Sequence, residues 1–205
     1  MIHFIHGLFG EASIWNSFQK LGDYKNHSPD EFLKEDVKPP DTIIAYSLGG
    51  RIAMRKAKEL SFNFKRLILL SSHPGLTPEL RAKRREWEDD IIQKMDTLPR
   101  EEFIKFWNYL EVFSSSQLTR LMSEEEFLHN RDLFTRFRLS EQEDYLPDLI
   151  KHSEKVLYVY GSGDSKYQKI ANTIKDLGLN VKEVNADHRV YLNADELYPI
   201  LRAAL

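Results

Sequence analysis

The stretch that most restricts how this chain can fold is residues 42–51, which read Thr-Ile-Ile-Ala-Tyr-Ser-Leu-Gly-Gly-Arg. A β-branched run meets a small-residue turn, and the residues that follow have the periodicity of a helix. A strand that turns sharply into a helix at a serine would place the Ser47 hydroxyl above the sheet edge, beside the helix N-terminus, where negative charge is favoured. Ala45 and Gly49 are small, as such a tight turn requires. The alternative is a buried strand that ends in a glycine turn, with Ser47 capping the helix.

The composition excludes several classes of site. The 205 residues contain no cysteine, so a disulfide framework, a zinc–thiolate site and a cysteine nucleophile are all excluded. The net charge of −3 gives no reason to expect nucleic acid or an anionic membrane as a partner. The chain begins without a signal-peptide pattern, and no apolar run approaches the length of a membrane span. We therefore expect a single-domain cytoplasmic protein.

The order of predicted strands and helices indicates an α/β architecture. Short apolar runs at residues 1–5, 64–72 and 155–160 flank the serine turn and are predicted strands, and the run at 64–72 suits a parallel strand buried on both faces. A further strand is predicted around residues 181–184. Between the second and third runs, the strand pattern gives way to charged and aromatic segments with helical periodicity. The sequence thus predicts an α/β-hydrolase fold, with a reduced, mostly parallel sheet flanked by helices. The predicted core is residues 1–76 and 152–205, with an all-helical cap inserted at residues 77–151.

Three residues with complementary chemistry follow predicted strands in the order that this fold uses. Ser47, Asp164 and His188 each lie just past the carboxyl end of a predicted strand, where parallel sheets build their sites. A histidine can take the serine proton, and a carboxylate holds the imidazole in the required tautomer. Asp164 alone would suit a turn, and most histidines are structural or solvated, but the joint placement favours a catalytic triad. The backbone N–H groups of Leu8, after a His-Gly turn, and Leu48 are predicted to form the oxyanion hole.

Several short segments are more specific than the fold. They are His6-Gly7-Leu8-Phe9-Gly10, Tyr46-Ser47-Leu48-Gly49-Gly50-Arg51, His73-Pro74-Gly75-Leu76, Trp107 and Gly161-Ser162-Gly163-Asp164-Ser165-Lys166. In these segments the sequence resembles the 2-succinyl-6-hydroxy-2,4-cyclohexadiene-1-carboxylate (SHCHC) synthases of menaquinone biosynthesis. The resemblance implies an enzyme that removes pyruvate from a cyclohexene carrying several carboxylates (SEPHCHC) to give a cyclohexadiene. It also implies that an activated serine acts as a base, and that no metal or organic cofactor takes part.

Arginines are the predicted ligands of the substrate carboxylates. Arg51 lies four residues after the serine on the same helix face, within reach of an anion beside the hydroxyl, and its planar fork suits a carboxylate. The resemblance implies Arg85 as a second carboxylate ligand, from the cap. It also implies a third cap arginine, for which Arg131 is chosen ahead of Arg138. The alternative for Arg85 is that the basic run around it is simply a solvated helix face.

Aromatic residues complete the predicted pocket. The resemblance implies Tyr46 and Trp107 as pocket walls, although a tryptophan in an aromatic helix is more often part of the core. The sequence also departs from the family's pattern. The strand and glycine–histidine loop expected before the serine turn are missing, and Asp187, rather than glycine, precedes the predicted catalytic histidine. Residues 22–40 offer room for one short helix and at most a vestigial strand near Tyr24.

Two other functions fit the same residues. The first is a serine esterase or thioesterase of the α/β-hydrolase superfamily that acts on a small acidic acyl substrate, with Ser47 as a true nucleophile. The second is a non-catalytic binding module derived from the fold, against which the complete triad argues. Fold and triad alone do not separate the lyase from the hydrolase. For either enzyme the expected partner is a small carboxylated molecule, not nucleic acid or a membrane.

Overall fold

A computed structural model describes residues 1–113, 116 and 122–205 of the chain. The strands in this part are β1 (Ile2–Ile5), β2 (Tyr24–His27), β3 (Thr42–Tyr46), β4 (Arg66–Leu70), β5 (Val156–Gly161) and β6 (Asn180–Val184). They form one sheet in the order β2-β1-β3-β4-β5-β6. Each neighbouring pair is parallel, which confirms the predicted sheet type.

Helices follow most of the strands. The α-helices are α1 (Pro29–Lys34), α2 (Leu48–Glu59), α3 (Pro78–Thr97), α4 (Arg100–Asn108), α5 (Glu124–Arg136), α6 (Leu146–Lys151), α7 (Ser165–Asp176) and α8 (Ala194–Ala204). Short 3-10 helices lie at Ala12–Leu21, Glu111–Phe113, Leu139–Glu141, Ser153–Lys155 and Val190–Leu192. Across the described ranges, no helix has the length and hydrophobicity that crossing a membrane would take.

The central strands are buried on both faces because each face carries a helical layer. In β3, Ile43 and Ala45 pack into one layer while Ile44 and Tyr46 pack into the other, as the two-residue period of a strand dictates. The first layer contains α1, α2, α6 and α7, and the second contains α8 and the 3-10 helix Ala12–Leu21. This double burial explains why the strand reads as an unbroken apolar run.

The edge of the sheet differs from the sequence expectation. The strand expected to be missing before the serine turn is present as β2, which pairs with β1 from Ile2↔Tyr24 to Ile5↔His27. Its sequence, Tyr-Lys-Asn-His, is polar because an edge strand is held by backbone hydrogen bonds to a single neighbour and buries only part of its surface. The prediction of a missing strand is therefore wrong, and the vestigial strand near Tyr24 is a complete edge strand.

Helices α3, α4 and α5, between β4 and β5, pack around a third apolar cluster, separate from the two on the sheet faces. Phe103, Trp107 and Phe134 belong to it, and Phe9, in the turn after β1, is buried among them. Helix α3 begins and helix α6 ends close to the predicted cap limits at 77 and 151. Residues 114, 115 and 117–121 of the predicted cap lie outside the described residues. That the segment works as a cap remains a prediction.

Candidate active site

The serine turn is a strained link between β3 and α2. Ser47 has φ 52° and ψ −115°, a combination that residues with a side chain rarely adopt. Its N–H donates to the carbonyl of Leu70 in β4 at 2.9 Å, and its carbonyl accepts from the N–H of Arg51 at 3.2 Å. The Ser47 side chain makes no capping hydrogen bond to α2, which excludes the alternative in which it only caps the helix.

Two glycines allow the turn to press against its neighbours. A Cβ atom on Gly49 would lie 2.4 Å from the carbonyl oxygen of His6 and 2.8 Å from that of Ile5. A Cβ atom on Gly50 would lie 1.9 Å from the hydroxyl oxygen of Ser72. The small residues around the serine are therefore needed for packing at the ends of β1 and β4.

Replacing Gly49 with alanine is expected to lower the free energy of unfolding by about 1–3 kcal/mol, the usual cost of overpacking. The atoms that the new methyl group meets belong to the backbone at the end of β1, so no side-chain rotation relieves the clash. Urea unfolding followed by circular dichroism measures the change. A helix normally gains up to about 1 kcal/mol from Gly→Ala, so an unchanged or higher free energy of unfolding would contradict the prediction.

The structure brings the three predicted triad residues into one hydrogen-bonded chain. Nδ1 of His188 lies 2.8 Å from Oδ2 of Asp164, and Nε2 of His188 lies 3.0 Å from Oγ of Ser47. The other carboxylate oxygen of Asp164 accepts from the N–H of Tyr167 at 3.1 Å, so the first turn of α7 fixes its orientation. With Nδ1 donating to the carboxylate, Nε2 is the acceptor for the serine proton.

Burial sets the protonation of the histidine. His188 is 4% exposed, and its ring packs against the rings of Tyr46, Phe113 and Tyr167 at centroid distances of 5.4, 5.5 and 4.5 Å. This burial lowers the pKa of His188 below its ordinary value, against the opposing effect of Asp164. The imidazole is therefore neutral, and able to accept a proton, at and above neutral pH.

The turn after β1 lies against the serine. A Cβ atom on Gly7 would be 3.0 Å from Cβ of Ser47, a tighter contact than side chains normally make, so glycine suits this approach. The next residue, Leu8, lines the same cavity as Leu48 and Ser47. In the part of the chain that the structure describes, the N–H groups of Leu8 and Leu48 have no protein acceptor. Both predicted oxyanion-hole donors thus belong to residues that line the cavity at Ser47, and the oxyanion hole itself remains a prediction.

A cavity of about 660 Å³ opens at Ser47 and His188. Trp107 lies on its wall with other apolar side chains of the helical segment, including Phe113 and Phe134. The predicted wall residue Tyr46 is not on this surface. It is buried behind the triad, where its ring meets that of Tyr191 edge-on at 5.0 Å, and it supports His188 from the sheet side.

Cationic side chains line the cavity, and two of them are oriented by protein acceptors. Nε of Arg51 donates to Oε1 of Gln142 at 2.6 Å, and its Nη2 donates to the carbonyl of Phe137. Nε of Arg84 donates to Oε1 of Glu88 at 2.8 Å, and its guanidinium lies over the ring of Trp87 at 4.2 Å. Lys83 and Lys166 line the same wall. The cavity therefore has a positive potential, which favours anionic ligands.

The other predicted carboxylate ligands lie elsewhere. Arg85 is 55% exposed on the side of α3 away from the cavity and pairs with Glu141 at 3.5 Å. Arg131 is held by both oxygens of Asp96, at 2.6 and 2.8 Å. Arg138 donates to Asp89 at 2.6 Å. The structure thus places none of these three on the cavity wall, and Arg84, one residue before the predicted position on α3, lies there instead.

The charges of the cavity act on one another. Burial, and next the charge of Lys166, lower the pKa of His73 to about 3, so this cavity histidine is neutral. Burial and the nearby Arg84 lower the pKa of Lys166 to about 8 and that of Arg51 to about 10. An anion bound among these groups would relieve their mutual repulsion. Within the described ranges no cluster of three or more metal-ligating side chains is present.

Known proteins resemble this chain in sequence and in fold. No protein-family model matches it. A 2-succinyl-6-hydroxy-2,4-cyclohexadiene-1-carboxylate synthase of Enterobacter sp. (strain 638) is 30% identical over 202 residues, which cover 83% of this chain and 78% of the relative. The synthase of Klebsiella pneumoniae subsp. pneumoniae is 29% identical over 139 residues, which cover 64% of this chain and 55%, about half, of that relative.

The solved structures support the same grouping at the level of fold. MenH from S. aureus superimposes with a TM-score of 0.73 at 20% identity, covering 100% of this chain and 92% of that one. A carboxylesterase structure from Nitrososphaera gargenis gives a TM-score of 0.65 at 16% identity, covering 98% and 88%. The predicted fold is confirmed. This chain is an enzyme of the α/β-hydrolase fold and belongs to the SHCHC synthase family.

Proposed function

We propose that this chain eliminates pyruvate from SEPHCHC to give SHCHC, a step of menaquinone biosynthesis. The observation that carries the proposal is that the Ser47–His188–Asp164 chain opens directly into a cavity lined by cations. A substrate with several carboxylates needs such a cavity, and a proton abstraction needs an activated base. The sequence relatives named as SHCHC synthases support the same reaction.

The geometry gives each group a part in this reaction. Nε2 of His188 takes the Ser47 proton, and the serine oxygen takes the acidic ring proton next to the succinyl carbonyl. Electrons from that C–H bond form one new ring double bond, the existing ring double bond shifts by one position, and the C–O bond to the enolpyruvyl group breaks, so that pyruvate leaves as its enolate. The enolate then receives the proton held on His188. The N–H groups of Leu8 and Leu48 stabilise the negative charge that develops on the carbonyl oxygen.

Pyruvate release from SEPHCHC generated in situ, coupled to lactate dehydrogenase, tests the proposal. Because this substrate also loses pyruvate spontaneously, the Ser47→Ala variant runs alongside as the control. A rate well above the control is expected. A rate equal to the control, from folded protein, would reject the lyase. If the Arg51→Ala variant then still hydrolysed p-nitrophenyl esters, the alternative function as a serine esterase would be favoured. The carboxylesterase structure shows that this fold can carry such a function in another protein.

The pH dependence of kcat/KM provides a second check. His188 must be neutral to act as a base, and burial lowers its pKa, so activity should persist below the ordinary histidine pKa of 6.5. The acid limb of the profile is expected to have its midpoint below that value and to reflect the gain of a single proton. A midpoint at or above 6.5 would show that the imidazole is less buried in the working enzyme.

The proposal also includes the segment at residues 77–151 as the cap that selects the substrate, and a cytoplasmic location. The cap assignment is supported by the cavity wall, to which this segment contributes Arg84, Trp107 and Phe134 opposite the triad. Exchange of this segment for the equivalent segment of a carboxylesterase is expected to abolish selectivity for acidic substrates while leaving ester hydrolysis by the triad.

A further inference from the structure

Lys166 is a cation on the wall of the cavity into which the Ser47 hydroxyl opens. It follows Asp164 by two residues, in the first turn of α7, and its side chain lines the cavity. The next residue, Tyr167, donates its N–H to Asp164 and packs its ring against that of His188. The backbone around Lys166 is therefore as fixed as the triad, and its ammonium group reaches the cavity from the triad side.

Lys166 differs from the two cavity arginines because the described protein gives it no acceptor. Arg51 is bonded to Gln142 and Arg84 to Glu88. In the described part of the chain, Nζ of Lys166 has neither a hydrogen bond nor an ion pair, and it lies over the ring of Tyr167 at 5.7 Å from the centroid. Residues 114, 115 and 117–121 contain no aspartate or glutamate that could supply one. A cation in the first turn of a helix also lies at the end where positive charge is disfavoured.

The Lys166 side chain is exposed to water within the cavity, and other cations lie close to it. The cavity walls and Arg84 lower its pKa to about 8. A carboxylate bound in the cavity would supply a counter-charge to these neighbouring cations. The charged and titratable groups around Lys166 are Arg51 on α2, His73 after β4, Lys83, Arg84 and Glu88 on α3, Glu111 after α4, Asp164 before α7, Tyr167 on α7, and His188 after β6.

We propose that Lys166 binds a carboxylate of the substrate directly, in addition to the carboxylate that Arg51 and Arg84 are placed to receive. The site thus distinguishes substrates with two separated carboxylates from those with one. This inference rests on the proposed function, because it takes a polycarboxylate as the natural ligand. It also implies that affinity falls as pH rises through the pKa of Lys166, because the neutral amine no longer attracts the anion.

Calorimetric titration with 2-succinylbenzoate, a stable aromatic dicarboxylate that shares the ring carboxylate and succinyl group of SHCHC, tests the inference. We expect Lys166→Met to weaken binding by about tenfold or more, and Lys166→Arg to stay within about threefold, since a lost charge-assisted hydrogen bond has that effect. Lys169→Met, an exposed position on the same helix, is the matched control and should bind as the wild type does. Unchanged affinity in Lys166→Met would overturn the inference.

Two further readouts separate a binding role from a structural one. The melting temperature of Lys166→Met should equal or exceed that of the wild type, because the substitution removes an unpaired cation from a helix N-terminus. Between about pH 7 and about pH 9.5 the wild type should lose affinity, while Lys166→Arg retains it because arginine stays charged. A lower melting temperature, or equal pH dependence in the wild type and Lys166→Arg, would overturn the inference.

The outcome is independent of the lyase assay. If wild-type protein released no pyruvate from SEPHCHC but bound the dicarboxylate through Lys166, the proposed reaction would fail and the carboxylate site would stand. If pyruvate release occurred and Lys166→Met bound the dicarboxylate normally, the reaction would stand and the role of Lys166 would fail.

Discussion

Replacing Ser47 with alanine is expected to reduce kcat for pyruvate release by at least about a thousandfold, with little change in KM. The serine oxygen lies 3.0 Å from Nε2 of His188 and is the atom proposed to take the ring proton. Alanine leaves the backbone turn and the cavity cations in place, so substrate still binds. The substitution therefore removes an interaction that acts in the transition state and not in the ground state.

The measurement is steady-state pyruvate release, corrected for the spontaneous reaction. Ser13→Ala, an exposed serine on the 3-10 helix Ala12–Leu21, serves as the matched control and should keep full activity. If Ser47→Ala kept more than about a tenth of the wild-type kcat, the imidazole of His188 would have to abstract the proton directly. Normal circular dichroism of the variant would show that the loss does not come from unfolding.

Arg84→Ala is expected to lower kcat/KM by about 30- to 100-fold, mainly through KM, while Arg85→Ala stays within about twofold. The two residues are adjacent on α3 and have the same charge, but only the first lines the cavity. Its guanidinium is oriented by Glu88 and Trp87, so it meets a carboxylate without further ordering. Each of the two substitutions removes one positive charge from the same helix. A difference between their kcat/KM values therefore reports the position of the arginine and not its charge.

A change in stability must be separated from this effect. Glu88 is fully buried, and Arg84→Ala would leave its carboxylate with the Ser140 hydroxyl and the N–H groups of Leu139 and Ser140. Urea unfolding of both variants therefore accompanies the kinetics, and Arg84→Lys restores the charge without the planar fork. Equal kcat/KM losses in Arg84→Ala and Arg85→Ala would show that the charge acts at long range, not by contact.

The sequence is sufficient to predict the triad because the fold constrains it strongly. Ser47, Asp164 and His188 each follow the end of a strand in a parallel sheet, and these ends meet at one edge. The residue order and the glycine positions restrict the site further. β3 and β5 are buried apolar runs that the sequence shows clearly. β6 is an edge strand of mixed character, Asn-Val-Lys-Glu-Val, and its two valines are the only apolar residues that mark it.

The cap arginines are harder to predict because the rotation of a helix decides which of two adjacent residues faces inward. Neighbouring residues on a helix point about 100° apart. The cavity meets the face of α3 that carries Lys83 and Arg84, and Arg85 points away from it toward Glu141. Glu88, Ile91 and Met95 are the buried residues of α3, and Arg84 continues their face at a spacing of four. That spacing could have indicated that Arg84 points inward. It is hard to recognise in the sequence because charged residues occur on every face of α3.

The strand β2 escapes prediction for a different reason. A short edge strand is held by backbone hydrogen bonds to one neighbour. Any residue type except proline can form these bonds, so the sequence does not indicate them. Only Tyr24, which packs edge-on against Phe4 at 5.9 Å, and the buried His27 show that the segment contacts the core. Polar residues between them remove the alternation by which strands are recognised.

The hydrogen bonds of Gln142 limit the path by which a substrate can enter. Its Nε2 donates to the carbonyls of His73 and Pro74, at 3.1 and 2.9 Å, and the N–H of Tyr145 donates to Pro74 at 3.0 Å. The chain that leaves β4 at residues 73–74 is thus hydrogen-bonded to the chain that leads into α6 at residues 142–145. Oε1 of Gln142 also accepts a hydrogen bond from Nε of Arg51. Opening at this junction would break these hydrogen bonds and release Arg51, the proposed carboxylate ligand, from its fixed orientation on the cavity wall. Entry of a substrate by this route is therefore disfavoured.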